Sequence, residues 1–333
     1  MDRRLSPGDG LLVLSSDSQH RAHVDGLQYS YPLKLIVPAR RFLPGVQCVY
    51  VLSYGGGLVA GDRVRLKVEV RERSTLVMLT QGSTKVFKVR PGQYLTASAF
   101  NHTRTTEQLY RLSVARSACL VLLPAPVTCF SRARYSQRQV VRLADESSSL
   151  VLLDWYTSGR MAYGDARGEE WEFAMYKSEN EVWLGEKRLA KDVLLLEDER
   201  PGGGEDQTGP STNGTTNGTS AHQQAEPGGG AATYHSRVAP YSCYAALFLF
   251  GPHTAKLRAH LDTTFSAISH YNQSRPYSLV WSYSPLTGHP GGGGIARCAG
   301  ASTEEVKEWI DHMLENGGIE ELMGRELWKT ALA

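Results

Sequence analysis

Asp154, Asp165, Glu169 and Glu170 lie close together in the chain. Two carboxylates placed either side of a glycosidic bond can supply an acid and a nucleophile or base, so this cluster would suit a carbohydrate enzyme. Arg160 and Arg167 stand among them, and a solvated loop or structural ion pairs explain the same residues more simply. Ser158, in DWYTSGR, lacks the flanking glycines of a strained nucleophile elbow. His20 and His23 are three apart in a strand-like stretch, where such a spacing points the two side chains to opposite faces, so they read as surface histidines. Arg132, Arg134 and Arg138 surround Tyr135, as in a β-rich RNA binder, but one aromatic with three arginines also describes a solvated strand. No HExxH, GxSxG, EF-hand or zinc-ribbon spacing occurs.

The glycine cluster YGGGLVAGD, 54–62, imitates two phosphate loops. Gly55-x-Gly57-x-x-Ala60 fits a relaxed dinucleotide fingerprint, and Gly56 and Gly61 have P-loop spacing. Both motifs need a helix after the loop, because its N-terminal N–H groups hold the anion. RVRLKVEV follows instead, with the two-residue period of a half-exposed strand. Asp62-Arg63 replaces the P-loop Lys-Ser/Thr pair, and a carboxylate there repels phosphate. The cluster therefore reads as a strand-to-strand connection needing positive φ.

The elements that would position these residues are mostly strands. TLVMLTQ, KVFKV, YLTASAF, QLYRLSV, ACLVLL, QVVRL and SLVLLDW are short, branched or aromatic, and separated by turn residues. WEFAMYKSENEVWLGEKRL predicts a hairpin with its turn at Ser178-Glu179-Asn180. No fixed-length repeat is visible, which argues against a regular propeller. Residues 199–232 carry almost no large apolar side chain, so ordering them would cost entropy without compensating burial; they are expected to be a disordered low-complexity insertion. Apolar spacing predicts a helix over about 253–270, through Leu257, Leu261, Phe265 and Ile268. Ser302 and Glu305 form a capping box before the stripe Val306, Trp309, Ile310, Met313 and Leu314, opening a helical segment expected over 302–331.

Thirty-six basic residues nearly balance 34 acidic ones, so no net field favours nucleic acid or an anionic membrane. No apolar run approaches a bilayer span of about 20 residues, and the first residues lack a full signal core. The five cysteines are widely spaced without a CxxC pair, as expected of reduced thiols in a cytoplasmic protein.

Six segments in order, YPLKLI (31–36), GGGLVAGD (55–62), LTQGSTKVFK (79–88), LPAPVTCFSRARYSQ (123–137), DWYTSGR (154–160) and ARGEEWEF (166–173), resemble the urease accessory D family (UreD, also called UreH). IARCAG and GRELWK extend the resemblance to the C-terminus, and the insertion suits a eukaryotic member. The resemblance implies one UreD-like domain over 1–333, mainly β, with a stacked, β-helix-like arrangement of short strands and two or three helices toward the C-terminus. It further implies a non-enzymatic scaffold that binds apo-urease with the accessory F protein and the accessory G GTPase and helps deliver nickel. Nickel would be transient, with no permanent cofactor. Polar positions inside the matched segments, Asp62, Gln81, Thr84, Lys85, Asp154, Arg160 and Glu169, are candidates for a nickel route, although a structural role, such as a turn-stabilising carboxylate at Asp62, competes at each. The implied helical F protein needs a docking surface, for which exposed Glu308 and His312 are candidates.

Overall fold

The computed structural model describes residues 5–40, 42–88, 105–160, 169–197, 237–271, 278–288 and 290–331. The expected strand at 94–100, the 199–232 insertion, Asp165 and Arg167 lie outside them. The first strands are β1 (Asp9–Ser16), β2 (Ala22–Tyr29), β3 (Leu33–Ile36), β4 (Val46–Ser53), β5 (Arg63–Val70), β6 (Thr75–Leu79), β7 (Thr84–Val86) and β8 (Thr106–Val114). They are followed by β9 (Cys119–Leu123), β10 (Val127–Cys129), β11 (Arg134–Leu143), β12 (Ser149–Thr157), β13 (Met175–Leu184) and β14 (Lys187–Glu197). The last third contains β15 (Cys243–Phe250), α1 (Ala255–Tyr271), β16 (Leu279–Leu286), β17 (Gly293–Gly300), α2 (Thr303–Asn316), α3 (Ile319–Met323) and α4 (Arg325–Ala331).

Two sheets stack face to face. The first runs β14-β13-β11-β8-β5-β1-β2, and the second β16-β17-β15-β12-β9-β6-β4-β3 with β10 and β7 attached beside β12. Their centres are parallel. Val46, Thr75, Cys119 and Ser149 stand side by side on β4, β6, β9 and β12, and β5, β8, β11 and β13 align in the same way. The chain crosses from the second sheet to the first and back on each coil, which makes the expected β-helix-like stack. Successive coils begin at 46, 75, 119 and 149, spaced by 29, 44 and 30 residues, so there was no constant sequence period to find.

Burial explains which strand went where. β5 alternates charge and apolar residue because one face meets water and the other meets the second sheet. β12 is buried along its whole length, since the second sheet is covered on both sides. Leu66, Val68, Leu112 and Val141 of the first sheet share a core with Met78, Leu120, Leu150 and Leu152 of the second. On the opposite face of the second sheet, Val77, Val121, Val151 and Leu153 pack with Leu257, Leu261, Val306, Ile310 and Leu314. Each such side chain contributes about 2 kcal/mol when fully buried, so the helical layer is integral to the fold.

The capping box forms as expected: Glu305 N–H donates to Ser302 Oγ at 3.2 Å, and Ser302 N–H to Glu305 Oε2 at 3.1 Å. Trp309, Ile310 and Met313 are buried, so the stripe packs on the sheet. The segment from 319 to 331 is divided by Gly324, at φ +88°, into α3 and α4. Two expectations fail. His20 sits in a turn with φ +58°, outside the strand. The hairpin turn is at Gly185-Glu186, and β13 runs straight through Ser178, Glu179 and Asn180. Ser178 and Asn180 are polar because they face a buried polar neighbour, and Glu179 because it pairs with Arg138 and Lys191 on the outer face.

Candidate functional site

All coils turn in the same sense, so all their connections of one kind lie at the same end. From first sheet to second the arches are short, 71–74, 115–118 and 144–148. From second sheet to first they are 54–62, 80–105, 124–133 and 158–174. The glycine cluster, TQGSTKVFK, PAPVTCFSRA and TSGR with EEWEF therefore gather at one end of the stack, although more than a hundred residues separate the first from the last.

There the glycine cluster makes a single 3₁₀ turn at Tyr54–Gly56, in which Gly55 has φ +74°, and no helix follows it. A Cβ on Gly57 would lie 2.7 Å from both the Lys85 carbonyl and the Phe87 ring, so only glycine lets the two connections touch. Leu58 N–H donates to Lys85 O at 2.8 Å, and Phe87 N–H to Leu58 O at 2.9 Å. Phe87 meets Phe130 edge-on at 5.2 Å, and Arg160 lies over the Phe130 ring at 4.0 Å. Arg160 in turn grips Glu169 through two hydrogen bonds, Nε to Oε2 at 2.7 Å and Nη2 to Oε1. The arginine's hydrogen bonds hold the Glu169 carboxyl below its ordinary value against a partial burial penalty. Four connections are thereby joined through Gly57, Phe87, Phe130, Arg160 and Glu169.

Asp62 stabilises its own turn: its Oδ2 accepts from Val59 N–H at 2.8 Å. Burial pushes its carboxyl up, while the Val59 hydrogen bond pulls it back. Thr84 starts β7 with its N–H on Pro126 O at 3.0 Å, and the Lys85 side chain is exposed. Gln81, in the same connection, faces another side. It lines a cavity of about 600 Å³ between the end of the second sheet and Thr303 and Lys307 of α2.

Asp154 differs from all of these. It is 9 % exposed and points between the sheets, where it meets only neutral donors. Gln137 Nε2 donates to Oδ1 at 2.5 Å, and Ser178 Oγ and Asn180 Nδ2 donate to Oδ2 at 2.6 Å each. Tyr135 OH reaches Gln137 Oε1 at 3.1 Å, and Gln139 Nε2 donates to Asn180 Oδ1 at 3.0 Å. Desolvation raises the carboxyl above its ordinary value, opposed by these hydrogen bonds. Tyr156 stacks on Tyr176 at 4.4 Å and on Tyr244 at 5.7 Å beside this network, and among the described residues the buried Tyr176 hydroxyl has no hydrogen-bond partner. A cavity of about 370 Å³ is lined by Asp154, Ser178 and Tyr244 together with Asp192 and Arg297, which pair at 2.7 Å.

Gln137, Ser178 and Asn180 were missed by sequence reasoning. Their signal was positional: each is polar where strand alternation places an inward side chain. Asp154 and Glu169 do not form a catalytic carboxylate pair, because the other carboxylate at the Asp154 cavity is Asp192 and Glu169 is held by Arg160. Arg134 and Arg138 pair with Glu197 and Glu181 at 2.6 and 2.8 Å, while Tyr135 is fully buried, which removes the surface an RNA reader would use there. Glu308 and His312 are exposed on α2. All five cysteines are buried thiols. Among the described residues, no group of three or more His, Cys, Asp or Glu could hold a metal ion, and no helix is long and apolar enough to cross a membrane.

Comparison with known proteins follows the same fold-long pattern. The family described as UreD urease accessory protein matches residues 8–329. Urease accessory protein 4 of Cryptococcus neoformans var. grubii is 32% identical over 340 aligned residues, 99% of this chain and 96% of its own. Urease accessory protein D of Oryza sativa subsp. indica is 32% identical over 85% of this chain and 84% of its own, and that of Arabidopsis thaliana 41% identical over 50% and 52%. With the family match running from the first strand to the last helix, the chain belongs to the UreD urease accessory protein family.

Proposed function

We propose that this chain is a non-catalytic scaffold of urease maturation that assists delivery of nickel into apo-urease, in the cytoplasm, together with the accessory F protein and the accessory G GTPase. The match of the urease accessory family over residues 8–329 carries this reading. The chemistry around Asp154 supports it. A passing nickel ion would meet the Asp154 carboxylate, the arginine-paired Asp192, amide and hydroxyl oxygens and tyrosine hydroxyls, a weak donor set suited to entry and release. Nickel is cargo on this reading, and there is no resident cofactor. Affinity would be roughly micromolar or looser, about −8 kcal/mol or weaker.

Among the route candidates, Asp154 is the carboxylate buried between the sheets and held by three neutral side chains. Arg160 and Glu169 neutralise each other, Asp62 serves its turn, and Thr84 and Lys85 contribute backbone to the joined connections. These five frame the end of the stack, and Gln81, in the same connection as Thr84 and Lys85, lines the cavity beside α2. For partners, Glu308 and His312 offer an exposed polar face of α2.

The test is reconstitution of urease in cells lacking this chain, complemented with wild type, Asp154→Leu or the pair Glu308→Lys and His312→Ala. Asp154→Leu is expected to lower the nickel content of urease severalfold while the accessory proteins still co-purify. The α2 pair is expected to weaken co-purification without lowering the melting temperature. Full urease activity in cells lacking the chain would overturn the assignment. Normal nickel content with folded Asp154→Leu would remove Asp154 from the route.

A further inference from the structure

The helices cover the outer face of the second sheet, and no described element covers that of the first. Strand register places its outward side chains in rows. One row runs Lys67, Arg111, Val140, Glu181 and Lys191; the next runs Ser113, Arg142, Trp183 and Arg188. A depression of about 520 Å³ there is lined by Lys67, Arg111, Arg138 and Arg142 against the single carboxylate Glu107. The lining of the depression thus carries an excess of three positive charges, with Glu69, Glu179 and Glu181 beside it pairing Lys67 and Arg138.

The cations divide into two sorts. Arg63, Arg65, Lys67 and Arg138 already hold Glu107, Asp9, Glu69 and Glu181 at 2.6–3.2 Å. Arg111 has no carboxylate partner among the described residues, and neither does Arg142 or Arg188. Arg142 and Arg188 lie over the Trp183 ring, 5.4 and 5.6 Å from its centroid, and the indole N–H is fixed on Glu181 Oε2 at 3.0 Å. Guanidinium groups resting on an anchored aromatic lose little freedom when a carboxylate arrives, and they match its two oxygens. Trp and Arg are the residue types that dominate protein interfaces.

From this we infer that the outer face of the first sheet, centred on Arg111, Arg142 and Arg188 around Trp183, docks an acidic segment of a protein partner. The inference is independent of the nickel-delivery reading, since it rests on charge placement alone. A protein segment is favoured over nucleic acid for two reasons. The row is bounded by Glu107, Glu69 and Glu181, onto which a continuous phosphate backbone would run. Trp183 already has guanidinium groups over its ring, where a base would have to stack. Acidic side chains can be spaced to avoid the carboxylates, and exposed Val193 and Leu195 on β14 extend the face with apolar contact.

The test measures binding of a fluorescent polyglutamate peptide to the full chain at low salt by anisotropy. The triple variant Arg111→Ser, Arg142→Ser, Arg188→Ser should bind at least tenfold more weakly. A control triple with equal charge loss, Arg21→Ser, Arg40→Ser, Arg325→Ser, removes arginines paired elsewhere on the surface and should change binding less than twofold. If the first triple is unfolded by circular dichroism, Arg111→Ser alone decides, with at least a threefold loss expected. No binding by wild type, equal losses in both triples, or no loss in the decisive variant would overturn the docking surface. Binding of a single-stranded oligouridylate of equal charge as tightly as the peptide would overturn the partner class. Nickel content of reconstituted urease is measured separately, so failure of either reading leaves the other legible.

Discussion

The two ends of the β-stack solve the same problem in opposite ways. Both must carry the chain between sheets on every coil. At one end, arches of four or five residues at 71–74, 115–118 and 144–148 turn tightly and each closes on itself by short local contacts, such as Ser74 Oγ on Arg71 O at 2.7 Å and Ser148 N–H on Asp145 O at 3.1 Å. At the other, the connections span from nine residues (54–62) to 26 (80–105), and they are joined by a close glycine approach, an aromatic pair and a half-buried ion pair. The tight end closes the fold. The other end carries the segments that identify the family and leads inward to the buried carboxylate. A solenoid frees one end for chemistry by keeping its coil interiors uniform and placing variation in the loops.

The contrast predicts that substitutions at the elaborated end cost more. Gly159 has φ +139°, and a Cβ there would stand 2.2 Å from the Glu169 carbonyl, a backbone group that cannot step aside. Gly159→Val should lose at least about 4 kcal/mol by urea denaturation, or fail to fold. A loss under about 1 kcal/mol would show that the 158–174 connection yields easily, and the contrast would collapse. Glu169→Leu comes next. It removes the carboxylate that Arg160 grips over Phe130 in a half-buried pair, for a loss of about 2 kcal/mol. Stability unchanged from wild type would mean that Arg160 finds another acceptor.

Asp154 and Glu169 should then separate by the sign of their pH dependence. Desolvation raises Asp154 above 3.8, so the folded protein keeps a proton that the unfolded chain has released. Its contribution to stability is therefore best in acid and is lost as pH rises from about 3.8 through the raised folded value. Arg160 lowers Glu169 below 4.5, so its contribution is complete above 4.5 and is lost as pH falls through the folded value. Melting curves of wild type, Asp154→Asn and Glu169→Gln at several pH values check both. Wild type should fall relative to Asp154→Asn as pH rises, and its advantage over Glu169→Gln should shrink in acid. The same slope for both pairs would refute the two environments described.

The smallest effects belong to single turns. Asp62→Ala removes one hydrogen bond to Val59 N–H and should cost about 1 kcal/mol. At the tight end, Ser117 has φ +52°, a conformation that costs a non-glycine residue about 1 kcal/mol, so Ser117→Gly should stay within about 1 kcal/mol of wild type after its entropic cost. A large loss at Ser117 would make the tight end as demanding as the other.

The sequence by itself determined a good deal: the β-rich class, the capped amphipathic helix on Ser302 and Glu305, and the reading of the glycine cluster as a connection. Each follows from local chemistry, namely period-two alternation in RVRLKVEV, a serine hydroxyl three residues before a carboxylate, and a strand where a phosphate loop needs a helix. Family membership was legible too, because six short segments kept their order. Tertiary structure alone decided three things. It decided that those segments share one end of the stack, since coils spaced by 29, 44 and 30 residues leave no period to read. It decided that Asp154 lies among neutral donors while Glu169 takes the arginine, because pairing across sheets depends on which strands face each other. And it turned Ser178 and Asn180 from turn residues into inward partners of a buried carboxylate, because a polar side chain in a strand reveals its role only when the group opposite it is known.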